Sequence, residues 1–317
     1  MPGMRRRWLA AVLLAGIVAA GCASGTPGRP GGSIPAPTSA SAASGSDPAT
    51  IEHVVVIVME NHEYGRIIGS PQAPYLNRLA RRNVLLTHEY AIRHPSLPNY
   101  LALTAGSTFK ISSDCTSCRV KARNLVDQLE AHGISWRAYM ESMPSPCFTG
   151  ATAGTAPNDY AKKHDPFMYY DDIRKRPRRC RQVVPLRRLA RNLEAGTLPR
   201  FAWITPNECH DMHSCGVATG DTWLKRWVPQ LLPALGSNGI LLVVFDEGSS
   251  NAGCCSIPGG GHVAAIIAGP GAGHGIRIRT ALDHYSLLRL IEDAWGLRHL
   301  RRAGDAVTPT VTGWSSG

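Results

Sequence analysis

The sequence carries little charge, shows no internal repeat, and holds an N-terminal apolar run that is short. Only 18% of its residues are charged. The run from Trp8 to Ala20 falls below the about 20 residues that a mature membrane-spanning helix needs. Hydrophobic residues still make up 44% of the 317 residues, which is enough for a packed core. This composition excludes wholesale disorder, collagen and coiled coil, and we expect one domain over residues 50–310.

The first 22 residues are predicted to be an export signal. Arg5, Arg6 and Arg7 precede the apolar run, which is the usual arrangement of a secretory signal peptide. The run ends in small residues followed by Cys22, which resembles a bacterial lipoprotein cleavage box. We therefore expect an exported bacterial protein, either lipidated at Cys22 and held at the membrane surface or secreted freely. Residues 23–49 are almost entirely Gly, Ala, Ser, Thr and Pro and are predicted to be a disordered linker.

Eight of the nine cysteines follow the linker. An even number in an exported chain favours disulfides over a metal cluster. Among the possible pairs we expect Cys147–Cys180 and Cys209–Cys215. The alternative is a zinc site on Cys115 and Cys118, but that spacing has no second matching pair.

The chain is basic, with a formal net charge of +11. Residues 1–49 hold four arginines and one aspartate, so the domain alone keeps a net charge of +8. Such a surface favours anionic partners. Nine basic residues lie within residues 174–191, but no aromatic residue is interleaved with them, which argues against a platform for single-stranded nucleic acid. We expect no specific nucleic-acid partner and interpret the segment as a solvated loop and helix face.

Short runs rich in Val and Ile alternate with helical patterns. Runs without period-two alternation are typical of strands buried on both faces of a parallel sheet. The alternation predicts an α/β fold, a mostly parallel central sheet with helices on both faces. The predicted strands are His53–Met59, Ser135–Met140, Arg200–Ile204, Gly239–Phe245 and His262–Ala268. The predicted helices are Pro74–Arg82, Asn99–Ala105, Leu125–His132, Thr222–Leu235 and Tyr285–Trp295.

Acidic and amide residues follow three of these strands, directly or, for Asn207, after Thr205 and Pro206. They are Glu60-Asn61, Asn207 and Asp246-Glu247. In such sheets ligands bind beyond the carboxyl ends of the strands, so these side chains should meet at one edge. A single acid after a strand is usually a helix cap or a solvated turn. Two pairs together would repel one another unless a cation neutralised them, which indicates a metal site.

The stretch from His94 to Gly106 places a serine at the start of a helix. Pro98 fits the first helical position, so Ser96 is predicted just before the helix N-terminus. Free backbone N–H groups there favour a phosphate or a serine alkoxide. The alternative is that Ser96 is only the N-cap of this helix.

Five motifs in order resemble one known family. They are Met59-Glu60-Asn61-His62, His94-Pro95-Ser96-Leu97-Pro98-Asn99, Asp211-Met212-His213 with Gly220-Asp221, Phe245-Asp246-Glu247-Gly248, and His284-Tyr285-Ser286. Together they resemble the bacterial phosphoesterase family of phospholipases C and acid phosphatases, within the alkaline phosphatase-like superfamily. The likeness covers roughly residues 51–300 and is strongest to the short secreted acid phosphatases.

The resemblance implies hydrolysis through a phosphoserine on a metal site. By position, Ser96 matches the nucleophile, and the metal ligands match Glu60, Asn61, Asp246 and Glu247. Oxygen ligands suit Mg²⁺, Mn²⁺ or Ca²⁺, whereas a histidine ligand favours Zn²⁺ or Fe. Two-metal members of the superfamily carry Asp-x-x-x-His where this chain has Asn207-x-x-x-Asp211, so we expect one divalent ion rather than two.

The remaining candidates are expected to move a proton or to contact the substrate, and most of them are histidines. His94, His213 or His210 is expected to protonate the leaving alcohol, which predicts an acidic pH optimum. A further set is predicted to contact the substrate phosphate, namely Asn99, Asp211, His262 and His284. For Asn99, His262 and His284 a purely structural role is the alternative. The segment from Tyr160 to Phe167 also looks family-like; we interpret it as a solvated loop, although Lys163 or His164 could meet the substrate.

The leading hypothesis is a metal-dependent acid phosphatase acting on phosphomonoesters, either phosphorylated small molecules or phospholipid head groups. A phospholipase C or another phosphodiesterase of the same fold is the second hypothesis. The third is a surface lipoprotein that binds phosphorylated ligands without turnover, which leaves the acidic strand ends unexplained. The sequence leaves the oligomeric state open.

Overall fold

A nine-stranded sheet forms the centre of the protein, seen in a computed structural model that describes residues 51–255 and 259–308. The strands are β1 (Val54–Met59), β2 (Val84–Tyr90), β3 (Trp136–Met140), β4 (Thr152–Ala153), β5 (Tyr160–Ala161), β6 (Val183–Pro185), β7 (Phe201–Thr205), β8 (Ile240–Phe245), β9 (His262–Ala268), β10 (Arg277–Ile278) and β11 (Leu282–Asp283). Their order in the sheet is β10-β2-β9-β8-β1-β7-β3-β6, with β11 also paired to β2. Strands β4 and β5 form a separate antiparallel pair.

Helices cover both faces of the sheet. They are α1 (Tyr64–Ile67), α2 (Pro74–Arg82), α3 (Ser96–Ala105), α4 (Leu125–Ala131), α5 (Asp171–Arg174), α6 (Pro177–Cys180), α7 (Arg187–Glu194), α8 (Val217–Leu231) and α9 (His284–Asp293). Alternate residues of β1 face opposite cores: Val54, Val56 and Val58 pack with α3, α4 and α9, whereas the residues between them pack with α2, α7 and α8. All six residues of β1 are buried. The predicted α/β fold is confirmed.

Strands β1, β7 and β8 are parallel neighbours, so their carboxyl ends meet at one edge. Val54 pairs with Phe201 of β7 on one side and with Ile240 of β8 on the other. All five predicted strands are present, four of them shifted by one residue at the N-terminal end. Strand β9 runs antiparallel to its neighbours β8 and β2. Its first residue, His262, therefore lies at the same edge as the carboxyl ends of the parallel strands.

Six strands and four helices of the described residues are absent from the predicted lists: β2, β4, β5, β6, β10 and β11, and α1, α5, α6 and α7. Strand β2 escapes prediction because its second half, Thr87 to Tyr90, is polar and the pairing with β9 is interrupted by a register shift between Leu86 and Glu89. Strand β6 has only three residues, too few for a pattern. Helix α7 lies inside the arginine-rich segment that we interpreted as a solvated loop and helix face.

Helix α3 begins at Ser96, two residues before Pro98, which was the predicted first helical position. Its N-cap is Pro95, so Ser96 is the first helical residue and does not cap the helix through its side chain. Asp114 takes the capping role from a distant loop, because its Oδ1 accepts the Leu97 N–H at 2.9 Å. Pro98 is tolerated in this first turn because the N–H groups there have no partner within the helix.

Eight cysteines form four disulfides. The predicted pairs Cys147–Cys180 and Cys209–Cys215 are both confirmed. Cys115 pairs with Cys118, so the zinc alternative at these two residues is wrong. Cys254 pairs with its neighbour Cys255. The described domain has the disulfide-rich character that the cysteine count predicted.

The arginine-rich segment is only partly solvated. Arg179 is buried and forms ion pairs with three carboxylates, those of Asp127, Glu130 and Asp172. This arginine therefore ties α6 to α4 and α5, and the prediction of a wholly solvated segment is wrong at this position.

The predicted export segment 1–22, its lipidation site Cys22 and the linker 23–49 lie outside the described residues. Among the residues that are described, no helix is both long and apolar enough to cross a membrane.

Candidate active site

Carboxylates from three strand ends meet at the carboxyl edge of the sheet. Glu60 follows β1, Asp246 and Glu247 follow β8, and Asp211 lies in the loop after β7. Hydrogen bonds join these segments as well: the Glu60 N–H donates to the Asp211 carbonyl at 2.9 Å, and the Asn61 N–H donates to the side-chain Oδ1 of Asp246 at 3.2 Å. Asn61 has a left-handed backbone (φ +52°), a conformation that asparagine adopts more readily than most residues. The predicted convergence of acids is confirmed.

Ser96 lies among these acids. Its Oγ donates toward Glu60 Oε2 at 3.1 Å and Glu247 Oε1 at 3.2 Å. Helix α3 fixes it there, since Ser96 is the first residue of the helix and its side chain is buried. The structure thus brings the predicted nucleophile into direct contact with two of the predicted metal ligands.

Glu60 has two further neighbours. The Tyr100 hydroxyl, one turn along α3 from Ser96, donates to Glu60 Oε1. His164 approaches the other oxygen, with Nε2 3.3 Å from Glu60 Oε2, and its Nδ1 lies 3.3 Å from Asp211 Oδ2. His164 is fully enclosed, so the interpretation of its segment as a solvated loop is wrong.

Burial and mutual repulsion disfavour the ionised form of these acids. Burial raises the pKa of Glu60 well above its usual range, and the charges of Asp246 and Asp211 raise it further. Burial, reinforced by Glu247, raises the pKa of Asp246 to about 7. The pKa of Asp211 is likewise raised by burial. A cation among these oxygens would reverse the effect, because it stabilises the charged carboxylates.

Two oxygens in this cluster test whether the residues fit a metal ion. Asn61 Oδ1 and Asp246 Oδ2 are buried, and neither has a hydrogen-bond partner within residues 51–255 and 259–308. Buried polar atoms almost always have a partner, and leaving them without one costs about 1–3 kcal/mol each. Carboxylate and amide oxygens are the ligands that hard divalent cations prefer. The residues present therefore fit a divalent ion held beside Ser96.

His94 stands on the open side of Ser96. Its Nδ1 contacts Glu247 Oε2 and its Nε2 lies 2.9 Å from the Ser250 carbonyl, so both ring nitrogens face acceptors. Burial opposes protonation, but these two acceptors outweigh it and raise the pKa of His94 above its usual value. With its side chain 37% exposed, His94 is within reach of solvent and of a bound molecule.

His213 lies beside His164, with ring centroids 5.7 Å apart. Its Nδ1 lies 2.8 Å from Glu208 Oε2, and its Nε2 lies 3.0 Å from the ammonium of Lys163. Burial would raise the pKa of Glu208, but His213, His164 and Lys163 together lower it to about 2. His210, the other predicted proton donor, instead contacts Glu141 Oε2 at 2.9 Å.

The remaining predicted residues surround the site without contacting Ser96. Asn99 holds the turn before the helix, accepting the Ile92 N–H at 3.0 Å and donating to the Arg93 carbonyl at 2.6 Å. His284 is buried behind Asp246, whose carbonyl it contacts, and its other nitrogen faces Glu89 at 3.3 Å. These two residues support the site from behind.

His262 lies farther along the sheet edge. It stacks on Tyr64 with ring centroids 4.5 Å apart, and its Nε2 lies 2.9 Å from the Thr87 carbonyl. The side chain of Asn207 folds back on its own loop and accepts the N–H groups of Cys209 and His210. The structure brings neither residue to the acid cluster.

Three residues at the site were not assigned from the sequence: Tyr100, Asp114 and Glu208. The family-like segment from Tyr160 to Phe167 did mark Lys163 and His164. What the sequence could not show is that this loop folds inward, where Lys163 and His164 reach Glu208 and Glu60.

A comparison with family models matches residues 70–298 to the phosphoesterase family. Among similar characterised proteins, an acid phosphatase of Aspergillus fumigatus is 32% identical over 71% of this chain and 51% of its own length. A probable acid phosphatase of Kluyveromyces lactis is 32% identical over 81% of this chain and 62% of its own. The chain thus spans about half to three fifths of the length of these two relatives. A phosphatidylinositol-3-phosphatase of Mycobacterium tuberculosis is 31% identical over 83% of this chain and 82% of its own.

Solved structures resemble the fold at low sequence identity. An alkaline phosphatase superfamily protein from Vibrio parahaemolyticus superposes with a TM-score of 0.56 at 14% identity, covering 84% of this chain and 72% of that one. The lipoteichoic acid synthase LtaP from Listeria monocytogenes superposes with a TM-score of 0.57 at 8% identity, covering 80% and 74%. These likenesses concern the fold alone.

Proposed function

The chain belongs to the phosphoesterase family, and from that membership we propose that it is an exported acid phosphatase that hydrolyses phosphomonoesters through a phosphoserine at Ser96. The observation that carries the proposal is the position of the Ser96 hydroxyl between Glu60 and Glu247, at 3.1 and 3.2 Å. A serine that only stabilised a helix end would direct its oxygen to the backbone. This one is directed into a cluster of acids.

The nucleophile needs a proton acceptor and a fixed orientation. Glu60 Oε2 and Glu247 Oε1 lie within hydrogen-bond distance of the hydroxyl, and the first turn of α3 holds Oγ in place. A serine oxygen attacking phosphorus expels the substrate alcohol, and water then attacks the phosphoserine to release phosphate and restore Ser96. Tyr100 keeps Glu60 oriented, because its hydroxyl donates to Glu60 Oε1.

A divalent ion completes the proposed site. Glu60, Asn61, Asp246 and Glu247 would hold it, and when bound it would stabilise the serine alkoxide and polarise the phosphoryl group. Mg²⁺, Mn²⁺ or Ca²⁺ suits these oxygens, and Zn²⁺ becomes competitive if His164 joins them. We propose one such ion.

The leaving alcohol must receive a proton. Of the three predicted donors, we favour His94, because its ring nitrogens face Glu247 and the Ser250 carbonyl, an arrangement that favours the protonated ring. His213 has its Nε2 opposite the Lys163 ammonium, which can only donate. The nitrogen that faces Lys163 therefore has no proton to give.

The substrate class follows from the relatives and the location. The Mycobacterium tuberculosis relative is a phosphatidylinositol-3-phosphatase, which supports a phospholipid head group as one candidate beside soluble phosphomonoesters. Membrane attachment through Cys22 would place the site near such lipids and remains part of the proposal.

Ser96→Ala tests the mechanism. We expect phosphate release from nitrophenyl phosphate to fall by roughly a thousandfold or more, with the circular dichroism spectrum and thermal transition retained. Ser107→Ala, a serine on a partly buried loop, is the matched control. Near-normal turnover in Ser96→Ala would remove the residue from this role.

The choice of substrate separates the alternative functions. Release from a phosphodiester or from phosphatidylcholine in preference to monoesters would support the phospholipase C alternative instead, and binding without release would support the non-catalytic one.

A further inference from the structure

A lysine ammonium lies inside a group of side chains that are otherwise suited to a metal ion. Lys163 Nζ is 3.0 Å from His213 Nε2, 3.6 Å from Glu208 Oε1 and 3.9 Å from Asp114 Oδ2. Its side chain is 20% exposed, so it stands at the opening of the site. The ammonium thus joins a carboxylate and an imidazole at the distance of direct contact.

Lys163 is the middle one of three consecutive basic residues, and the backbone conformation decides which of them enter the site. Lys162, Lys163 and His164 form one 3₁₀ turn, in which successive side chains point about 120° apart. Lys162 points away and donates to the Thr116 carbonyl at 2.9 Å. Lys163 and His164 point into the site, one to its opening and one to its floor.

The hydrogen bonds fix the state of His213. An ammonium has three donors and no acceptor, so the His213 Nε2 that faces it must be unprotonated. The proton is then on Nδ1, which lies 2.8 Å from the Glu208 carboxylate. A neutral imidazole oriented by a carboxylate is the form in which histidine binds metals.

The same group has the composition of a metal site. His164, Glu208 and His213 each offer one ligand atom, and these atoms lie within 4.8 Å of one another. Two histidines and one carboxylate make a common ligand set for zinc. The cation that lies among them in this chain is the lysine.

We propose that Lys163 takes the place of a second metal ion and keeps closed a latent metal site formed by His164, Glu208 and His213. The inference rests on the proposed function only in treating the neighbouring oxygens around Ser96 as the site of the first ion. The lysine supplies a fixed positive charge beside the acids, and this charge also lowers the pKa of Glu208, Asp211 and Glu60 against the effect of burial.

Zinc titration of the full chain by calorimetry, after removal of bound metal, tests the proposal. Lys163→Met should bind one more equivalent of Zn²⁺ than the native chain. Lys163→Met combined with His213→Ala should lose that additional equivalent. Lys175→Met removes the same charge at an exposed position that pairs only with Asp171 among the described residues, and it should match the native stoichiometry. Lys163→Gln, which keeps a polar group at the opening, repeats the measurement if the methionine variant does not fold.

The outcomes separate this inference from the proposed function. An unchanged stoichiometry in folded Lys163→Met or Lys163→Gln would overturn it. So would a drop in stoichiometry when His213→Ala is made alone, because the native site would then already hold an ion. Neither result depends on turnover, so a chain that gains zinc as expected but releases no phosphate would contradict only the proposed function.

Discussion

Glu292 offers a test of the electrostatics of this fold that does not depend on catalysis. The residue lies in α9 and is completely buried. Its Oε1 accepts the Leu300 N–H at 2.8 Å, whereas its Oε2 has no hydrogen-bond partner within the described ranges. Burial raises the pKa of Glu292 from its usual 4.5 to about 8. The folded protein therefore prefers this carboxyl protonated at neutral pH.

The pH dependence of the unfolding free energy follows from the difference between the pKa of Glu292 in the folded and in the unfolded chain. A folded-state pKa above the unfolded value gives a stabilisation that is complete below about pH 4.5 and is lost as the pH rises through about 8. Within that window each pH unit costs up to ~1.4 kcal/mol of unfolding free energy. Between pH 5 and pH 8 the loss from this one group reaches ~3.5 kcal/mol.

Glu292→Gln should remove this part of the pH dependence, because glutamine has the same shape and stays neutral. We expect the difference in unfolding free energy between the variant and the native protein to shift in favour of the variant as the pH rises from 5 to 8. Urea denaturation followed by tryptophan fluorescence, with disulfides intact, measures it at each pH. The same change at exposed Glu194 should leave the native profile unaltered. A difference that stays constant across this pH range would refute the argument.

Three further predictions concern single contacts. Arg179→Met should lower the unfolding free energy by ~2–3 kcal/mol, because it leaves three partly buried carboxylates without their cation, whereas Arg178→Met at an exposed position should have little effect. Replacing both Cys147 and Cys180 by serine should cost ~3–4 kcal/mol, since their disulfide closes a loop with a sequence separation of 33, and thermal denaturation of the two proteins compares them. His284→Phe should reduce kcat by ~10–100-fold through displacement of the Asp246 backbone, with KM nearly unchanged; an unaltered kcat would show that this contact does not position the acid.

The sequence predicted the centre of the fold well and its edges poorly. Strands β1, β7 and β8 are buried on both faces, so nearly every residue in them is apolar and each stands out as a continuous run. Strand β2 lies next to the edge, and its second half carries Thr87, His88 and Glu89, which hides it from a hydrophobicity pattern. Helix α3 starts early because Asp114 satisfies the Leu97 N–H, a long-range contact that no local pattern records.

The residues of the candidate site also fall into those that the sequence predicts and those that it does not. Glu60, Asp246 and Glu247 directly follow predicted strands, so the topology alone brings them together. Lys163 and His164 belong to a single 3₁₀ turn between short elements, and its inward position depends on contacts made elsewhere in the chain. Polar residues in such a turn are usually solvated, and only the structure shows that these two are not.

The sheet neighbours of β1 come from distant parts of the chain, so the central strand can pair only after they have been synthesised. Val54 pairs with Phe201 and Ile240, both far along the chain, so the central strand has no native partner until most of the polypeptide is available. Contacts of such long sequence separation slow folding and leave an apolar strand exposed in the meantime. A fragment that ends before β8 would lack both Asp246 and one side of the sheet that positions Glu60, so we expect it to aggregate rather than to form a partial site.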